Sequence, residues 1–223
     1  MPDTAASPRR FDTDDFIGGS LCLDFVNTVD SWFFVPPPQE RLATFGNWLA
    51  WSRAAGTLGG GLSRSLEQAA RRSPGSAARA LRNIRALRDA LARVFQAAAH
   101  RQAPAPSDLA LIDQQLAPIR ASRRIAWDGK QYQEVWPPSP GAKFASGLRP
   151  ILLSAEALLL DTAALSRVRE CPAERCGWLF LDVSRNGSRR WCSMRTCGNL
   201  AKAHRHQARR RRARRSNRRG NAV

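Results

Sequence analysis

The sequence has few of the side chains with which enzymes move protons. It contains only 3 histidines, and two of them, His204 and His206, stand beside a run of arginines. Its one cluster of carboxylates, Asp12 with Asp14 and Asp15, lies close to the N-terminus. Because these spacings pair no nucleophile with a base, we do not expect an enzyme, and a catalytic N-terminal domain is the less favoured alternative.

A long apolar run is also missing. The longest candidate, residues 151–160, is interrupted by Ser154 and Glu156, so we expect no segment that spans a bilayer. No secretory signal opens the chain. These absences predict a cytoplasmic protein without a membrane partner, in a compartment that keeps its thiols reduced.

Acidic residues are scarce beside basic ones. There are 18 Asp plus Glu against 36 Lys plus Arg, which gives a formal charge of +18. Residues 171–223 carry 15 basic and 2 acidic side chains, a net of +13, and the first 170 residues hold the remaining +5. Residues 208–223 form an arginine-rich tail, which we expect to be disordered until a polyanion such as DNA or RNA neutralises it. A solvated tail without a partner is the alternative.

Four of the 5 cysteines form two pairs, Cys171 with Cys176 and Cys192 with Cys197. Each pair encloses four residues and fifteen residues separate the pairs, a spacing that suits one tetrahedral zinc ion. Two disulfides or four ordinary buried cysteines are the alternatives, which a reducing compartment and a segment poor in aliphatic residues disfavour. Four thiolates leave no open position for water, so we expect one structural Zn²⁺. The fifth cysteine, Cys22, is expected to be a small buried residue.

The residues around the cysteine pairs follow a specific pattern. Cys176 is followed by Gly-Trp-Leu-Phe-Leu-Asp, and residues 184–194 read Ser-Arg-Asn-Gly-Ser-Arg-Arg-Trp-Cys-Ser-Met before the second pair ends in Cys-Gly-Asn. Over about residues 168–206 this pattern resembles the bacterial CGNR zinc finger, which is regarded as a DNA-binding module of transcription regulators. The fourth signature residue of that family is arginine, whereas this chain has Leu200.

The basic residues of this segment are candidates for contact with nucleic acid. Arginines that do not face the zinc-bound sulfurs would form a cationic surface suited to phosphate. What the family arginine contributes is either missing here or supplied by Lys202 or Arg205. We expect the finger to be held on DNA by Arg185, Arg189, Arg190, Arg195, Asn199, Lys202 and Arg205.

A second motif stands near the N-terminus, where residues 16–30 read Phe-Ile-Gly-Gly-Ser-Leu-Cys-Leu-Asp-Phe-Val-Asn-Thr-Val-Asp. The motif resembles the opening of the ABATE domain, an α/β domain that precedes CGNR fingers in stress-induced bacterial transcription regulators. Its apolar spacing favours a helix and leaves a strand possible. Two roles are open for Asp24, Asn27 and Thr28, namely lining a small-molecule pocket or bracing neighbouring backbone, and bracing is favoured.

Between the two motifs the hydrophobic periodicity is mainly helical. Asp128-Gly129, between two alternating segments, predicts one β-hairpin. The longest helix is expected to turn a solvated arginine face outward, with Arg79, Arg82, Arg85 and Arg93. Its opposite face is expected to bury the apolar stripe of Leu81, Ile84, Leu87, Leu91, Val94 and Phe95. Helices are predicted at residues 41–54, 62–72, 74–101, 107–116 and 142–165.

The fold class that follows is α+β. We expect a mainly helical N-terminal domain with a small β-hairpin, then a small four-cysteine zinc-binding module and a basic tail. The expected boundaries are an ABATE-like sensor domain at residues 10–165, able to fold without metal, a CGNR-type finger at 166–207, and the disordered tail at 208–223.

Together these features predict a DNA-binding transcription regulator, associated with the nucleoid, whose N-terminal domain senses a small-molecule effector or a partner. RNA is the runner-up, because arginines that bind phosphate do not distinguish the two polymers. Single-stranded RNA normally stacks on exposed aromatic rings, whereas Trp178 and Trp191 are expected to pack beside the zinc. The oligomeric state is left open.

Overall fold

A computed structural model describes residues 9–30, 39–136, 143–174 and 176–207. The predicted disordered tail at 208–223 lies outside these residues. Within them the fold is mainly helical with small β-hairpins, and both the helical character and the hairpin at Asp128-Gly129 were predicted from the sequence.

Helices make up most of the described fold. Residues 199–207 are helical as well. In the described ranges, no helix combines the length and apolar character that crossing a membrane would require. The α-helices are α1 (Leu21–Val26), α2 (Phe45–Ala54), α3 (Gly60–Arg72), α4 (Pro74–Ala99), α5 (Pro106–Ser122), α6 (Leu148–Leu160) and α7 (Thr162–Leu165).

The strands form two-stranded antiparallel sheets. The sheet that pairs β3 (Arg124–Trp127) with β4 (Tyr132–Val135) is the predicted hairpin, and Gly129 takes the positive φ of 97° that its turn requires. Its side chains Ile125, Trp127 and Tyr132 are exposed, so this hairpin adds little to the core. The pairs are β1 (Val29–Asp30) with β2 (Gln39–Glu40), β3 (Arg124–Trp127) with β4 (Tyr132–Val135), and β5 (Val168–Glu170) with β6 (Leu179–Leu181).

Helix α4 is the centre of the fold. It begins with Pro74 at its first turn, where proline costs no hydrogen bond, and it packs against α1, α2, α3, α5 and β5. Truncating one large member of its buried stripe to alanine would cost about 2 to 5 kcal/mol. The predicted stripe is confirmed, since all its members are buried: Leu81, Ile84, Leu87, Leu91, Val94 and Phe95.

Three predicted helices have a boundary that differs by more than two residues from the observed one. Helix α2 begins later, because the Thr44 side chain accepts the backbone N–H of Asn47 and caps it there. Helix α5 continues past its predicted end through Pro118. The long helix expected at 142–165 is divided, because Gly147 has a φ of 99° and Asp161 caps a separate turn.

The arginine face of α4 is only partly solvated. Arg85 donates to the carbonyl of Leu42 through Nε at 2.9 Å, and Arg93 pairs with Asp108 at 2.6 Å. The Arg93 hydrogen bonds hold the pKa of the Asp108 carboxyl below its usual value. The solvated-face prediction is therefore wrong for Arg85, which is partly buried and bonded to a backbone carbonyl, and is confirmed for Arg79, Arg82 and Arg93, which are exposed.

The hairpin of β5 and β6 joins the finger segment to the N-terminal core. Val168 and Leu179 belong to the same buried cluster as the stripe of α4. A second, smaller cluster gathers Trp178 and Phe180 around the paired cysteines. The boundary expected near residue 165 thus falls directly before a strand that contributes to the main core.

Candidate metal centre and its basic surface

The four paired cysteines of the finger segment meet at one point. All four sulfurs lie within 4.8 Å of one another, with Cys176 Sγ 3.4 Å and Cys197 Sγ 3.6 Å from Cys192 Sγ. Four sulfurs bound to one tetrahedral zinc at about 2.3 Å would be about 3.8 Å apart. A disulfide would bring two sulfurs to about 2 Å. With Cys171, these residues fit one structural zinc ion, as the sequence predicted.

The thiols of this cluster influence one another strongly. Hydrogen bonds from the other thiols, Cys176 first, lower the pKa of Cys171. Donating to Cys171 raises the pKa of Cys176 and of Cys192 above the ordinary value. Thiols this close cannot all ionise unless a cation offsets their charge, and a divalent metal ion does so.

The first cysteine pair is held by backbone hydrogen bonds. The N–H of Cys171 donates to the carbonyl of Trp178 at 2.8 Å, which continues the β5–β6 pairing up to the first ligand. The N–H of Cys176 closes a turn on the carbonyl of Ala173 at 2.9 Å. Gly177 then takes a φ of 67°, which only glycine adopts without strain. The strand therefore leads directly into the metal site.

The second pair is built on a tight π-helical turn, Met194–Gly198. The Ser193 side chain caps it by accepting the N–H of Thr196 at 3.4 Å. Gly198 follows the last ligand, and a Cβ there would lie 2.6 Å from the Met194 sulfur and 3.2 Å from Trp191. A side chain at this position would therefore require the exposed, flexible Met194 side chain to move.

A buried carboxylate shapes the loop between the two pairs. Asp182 is fully buried and accepts the N–H of Ser184 at 2.9 Å and that of Arg189 at 3.1 Å. Although burial opposes ionisation, the hydrogen bond from the Ser184 hydroxyl, together with these two N–H groups, holds the pKa of Asp182 below its usual value. The loop turns at Asn186-Gly187, with Gly187 at a φ of 60°.

Arg189 was expected to contact DNA, and the structure instead directs it inward. Its guanidinium donates to the carbonyls of Ile17 at 3.0 Å and Trp191 at 3.1 Å, and to that of Cys192. It also lies over the Phe180 ring, 4.5 Å from the centroid. One side chain thus ties the second zinc loop to the N-terminal domain. Sequence alone gives no signal that separates this arginine from its neighbour.

The other predicted contact residues form an exposed basic surface. Arg195 makes a solvent-exposed ion pair with Asp14 at 3.0 Å, which contributes about 0 to 1 kcal/mol and is easily exchanged for another anion. Leu200, at the position of the family arginine, is 52% exposed, so that position faces solvent. The exposed set is Arg185, Arg190, Arg195, Asn199, Lys202 and Arg205.

The N-terminal motif holds the finger through paired hydrogen bonds. The Asn27 amide donates to the carbonyl of Leu179 at 2.8 Å and accepts its N–H at 2.9 Å, as a neighbouring strand would. The indole N–H of Trp178 donates to the carbonyl of Val29 at 3.1 Å, and Arg41 lies over the Trp178 ring at 4.7 Å. Asn27 and Trp178 are therefore docking residues for β6.

Of the three residues considered for a ligand pocket, two brace the fold. Asn27 is engaged by Leu179, and the hydroxyl of Thr28 donates to the carbonyl of Phe25 at 2.8 Å. Asp24 differs, because it lines a cavity and accepts the N–H of Gly18 at 2.7 Å with one oxygen. Burial raises the pKa of Asp24 to about 6. The described structure thus leaves Asp24 as the candidate ligand residue of this group.

Comparison with known families agrees with this arrangement. A family model named ABATE, described as a putative stress-induced transcription regulator, matches residues 19–169. The chain belongs to the ABATE family. A second model, the CGNR zinc finger, matches residues 167–210, so both resemblances seen in the sequence are confirmed. No curated protein matches the chain.

The two family matches overlap in the structure as well as in the sequence. Both include residues 167–169, and Val168 in that overlap begins β5. In this ABATE protein β5 therefore serves both units, since it packs in the ABATE core and leads to the first zinc ligand, Cys171.

Proposed function

We propose that this ABATE protein is a DNA-binding transcription regulator, with no enzymatic activity of its own, that acts at the nucleoid. The CGNR finger and the arginine-rich tail would hold the duplex, and the ABATE domain would sense an effector. The observation that carries the proposal is the exposed basic surface beside a closed four-cysteine centre. Such a surface binds phosphates without regard to base sequence.

The helical end of the finger supports binding to a duplex. Asn199, Lys202 and Arg205 follow one another at intervals of three along the helical residues 199–207. Residues three apart on a helix are neighbours on its surface, so these side chains present one polar, basic face. A helix fits the major groove of B-DNA, and an amide such as that of Asn199 is suited to adenine edges.

The loop residues divide into contact and positioning roles. Arg185 and Arg190 are exposed, with the Arg190 guanidinium 5.6 Å from the centroid of the Trp191 ring. We keep them as phosphate contacts. Arg189 is assigned to positioning, because its donors hold the loop to the ABATE domain. Its loss would weaken DNA binding by loosening the finger.

Burial of the finger's aromatic rings favours DNA over single-stranded RNA. Trp178 is only 7% exposed, and Trp191 is half-buried beside Gly198. Bases of single-stranded RNA stack on open aromatic faces, and burial leaves little of these two rings available. RNA therefore remains a possible outcome of the experiment and is not a second proposal.

The deciding experiment selects genomic fragments on the purified zinc-loaded chain and, at the same salt concentration, an RNA pool. We expect enrichment of a particular duplex sequence. Replacing Lys202 and Arg205 together by alanine should weaken binding to that duplex about tenfold or more. The matched control replaces Arg79 and Arg82, two exposed arginines of α4, and should leave the affinity within about twofold.

Three results would count against the proposal. Equal affinity for selected and scrambled duplexes would indicate a nonspecific nucleic-acid binder. Stronger enrichment from the RNA pool would make RNA the ligand. An equal loss in the control variant would mean that affinity follows the net charge of the chain and not the finger surface.

A further inference from the structure

A cavity of about 730 Å³, widely open to solvent, lies between the N-terminal lead, the start of α1 and the end of α2. This volume is in the range of sites for small organic ligands. Phe11, Phe16 and Leu21 give it apolar walls, and Ala54 lies at its α2 side. It is separate from the cysteine centre, none of whose residues lines it.

The charge inside this cavity is opposite to that of the chain. The protein carries +18, yet the ionisable residues that line the cavity are two acids, Asp12 and Asp24. Asp12 uses one oxygen to cap the short turn that follows it, accepting the N–H of Asp14 at 2.9 Å. Arg9 lies over the Phe11 ring, 5.8 Å from the ring centroid, and is not among the lining residues. The site therefore favours a positively charged occupant.

Asp24 is the group built to meet that occupant. Its side chain is nine-tenths buried, and one carboxylate oxygen accepts the N–H of Gly18 at 2.7 Å. Within the described ranges no residue donates a hydrogen bond to the other oxygen, Oδ2. Burial in apolar surroundings raises the pKa of Asp24 to about 6, so its ionised form lacks the solvation it would have in water. A bound cation would restore that stabilisation.

We propose that this cavity binds an organic cation, a protonated primary amine on an apolar or aromatic body, with Asp24 as its counter-ion. The ammonium group donates to Oδ2 of Asp24. The apolar body packs on Phe11 and Phe16, whose faces also attract positive charge. Binding itself does not depend on DNA recognition, whereas a regulatory effect of the amine rests on the proposed function.

The wall of the cavity is hydrogen-bonded to the finger. Gly18, which donates to Asp24, also accepts the N–H of Leu181 in β6 at 2.7 Å. Gly19 lines the cavity, and a Cβ there would lie 3.3 Å from the Leu181 side chain. The carbonyl of Ile17 accepts from Arg189 of the second zinc loop. An amine that orders this segment would therefore order the finger that is bound to it.

Isothermal titration calorimetry of the zinc-loaded full chain at pH 8 tests the site with three probes of similar shape. These are 2-phenylethylamine, neutral 2-phenylethanol and anionic 3-phenylpropanoate. We expect the amine to bind at least tenfold more tightly than the other two. Absence of amine binding at millimolar concentration, or equal affinity for the three probes, would overturn the proposal.

Two variants and one control variant test whether the amine binds in this cavity. Asp24→Asn keeps an oxygen that accepts from Gly18 and should lower amine affinity at least tenfold, whereas Asp14→Asn, on the same segment but outside the cavity, should leave it unchanged. Ala54→Phe, at an exposed position of α2, should fill the cavity and block the amine while zinc content stays the same. Unchanged affinity in both Asp24→Asn and Ala54→Phe would place the amine elsewhere.

The regulatory part has a separate readout. We expect 2-phenylethylamine to change the affinity of the chain for its selected duplex by threefold or more, and the change should vanish in Asp24→Asn. Amine binding without any such change would remove the regulatory link and leave the binding site intact. Failure to bind any duplex would refute the proposed function, whereas calorimetry would still show whether the amine binds in the cavity.

Discussion

At the scale of single residues, the Asn27 side-chain amide forms the pair of hydrogen bonds that a neighbouring strand would form. The amide donates to the carbonyl of Leu179 and accepts its N–H, so these two backbone groups at the edge of β6 have partners in the ABATE domain. Buried backbone groups are costly when they are left without partners. The polar residue Asn27 stands in an apolar motif because it bonds to the backbone of Leu179, which is distant in the sequence.

Replacing Asn27 by alanine should lower the free energy of unfolding by about 2 to 4 kcal/mol, because two buried hydrogen bonds are lost and the Leu179 groups stay unsatisfied. Urea titration of the zinc-loaded chain measures this. The exposed Asn199, replaced in the same way, should change stability by less than about 0.5 kcal/mol. A loss in the Asn27 variant no larger than in the control would contradict the docking role.

Asp24 should give the stability of the chain a distinctive pH dependence. Its pKa rises from 3.8 to about 6 on folding, because burial disfavours the ionised carboxyl. The stability it contributes is fully present below pH 4 and is lost as pH rises through 6. A shift of about 2 pKa units corresponds to roughly 3 kcal/mol.

Asp24→Asn removes this titration and keeps the acceptor for Gly18. The stability of the variant relative to the wild type should therefore increase by up to about 3 kcal/mol between pH 4 and pH 7. Urea titrations of both proteins across that range measure the difference. A difference that does not change with pH would mean that Asp24 titrates normally in the folded chain.

At the scale of elements, the β5–β6 hairpin is part of both the ABATE core and the metal centre. Val168 and Leu179 are buried with the α4 stripe, and the same hairpin carries Cys171 at the end of β5. A fragment that ends at residue 165 omits this hairpin. It also leaves the amide of Asn27 without its backbone partner.

A fragment of residues 10–183 should therefore melt cooperatively and at a temperature several degrees above that of the fragment 10–165. The extra stability comes from burying the hairpin side chains and from the two Asn27 hydrogen bonds. Asn27→Ala should remove much of the gain in the longer fragment and have little effect in the shorter one. Identical melting temperatures would show that the N-terminal unit is complete before β5.

The metal centre is the second element with a clear test. Elemental analysis should find one zinc per chain in the wild type and in Cys22→Ser. Cys22 is buried, but it is not a member of the four-cysteine cluster. Cys192→Ser should lose the metal, because Cys192 contacts two other ligand sulfurs at 3.4 and 3.6 Å. Full retention in that variant, or loss in Cys22→Ser, would refute the ligand set.

At the scale of the whole molecule, charge is separated along the chain. The last 53 residues carry +13 of the total +18, and the described part of this segment has a closed metal site and a buried Asp182 beneath its basic surface. The ABATE domain instead uses arginines such as Arg88 in internal ion pairs, here with Glu40 at 2.7 Å. Affinity for polyanions should therefore depend on the finger and the tail.

Deleting residues 208–223 should flatten the dependence of DNA affinity on salt, since each lost phosphate contact reduces the slope of log K against log salt by roughly 0.9. Any sequence preference should persist, because it depends on the finger. Titrations of selected and scrambled duplexes at several salt concentrations measure both quantities. An unchanged slope would take the tail out of the interface.

The sequence by itself determined the features that depend on neighbours along the chain. The zinc ligands follow from the spacing of two short pairs, the stripe of α4 from a 3.6-residue period, and the β3–β4 hairpin from Asp128-Gly129. Covalent geometry limits such segments to a few conformations, so residue order is sufficient to predict them. The concentration of basic charge near the C-terminus is equally a property of composition.

Only the tertiary structure decided the roles of Asn27 and Arg189. Asn27 bonds to Leu179 across 152 positions, and Arg189 to Ile17 across 172 positions. The sequence favours bracing of neighbouring backbone for Asn27 and contact with DNA for Arg189, because a polar side chain does not indicate which distant backbone group will meet it. That meeting is set by the packing of β5 and β6 on the ABATE core, where buried carbonyl and N–H groups must find partners.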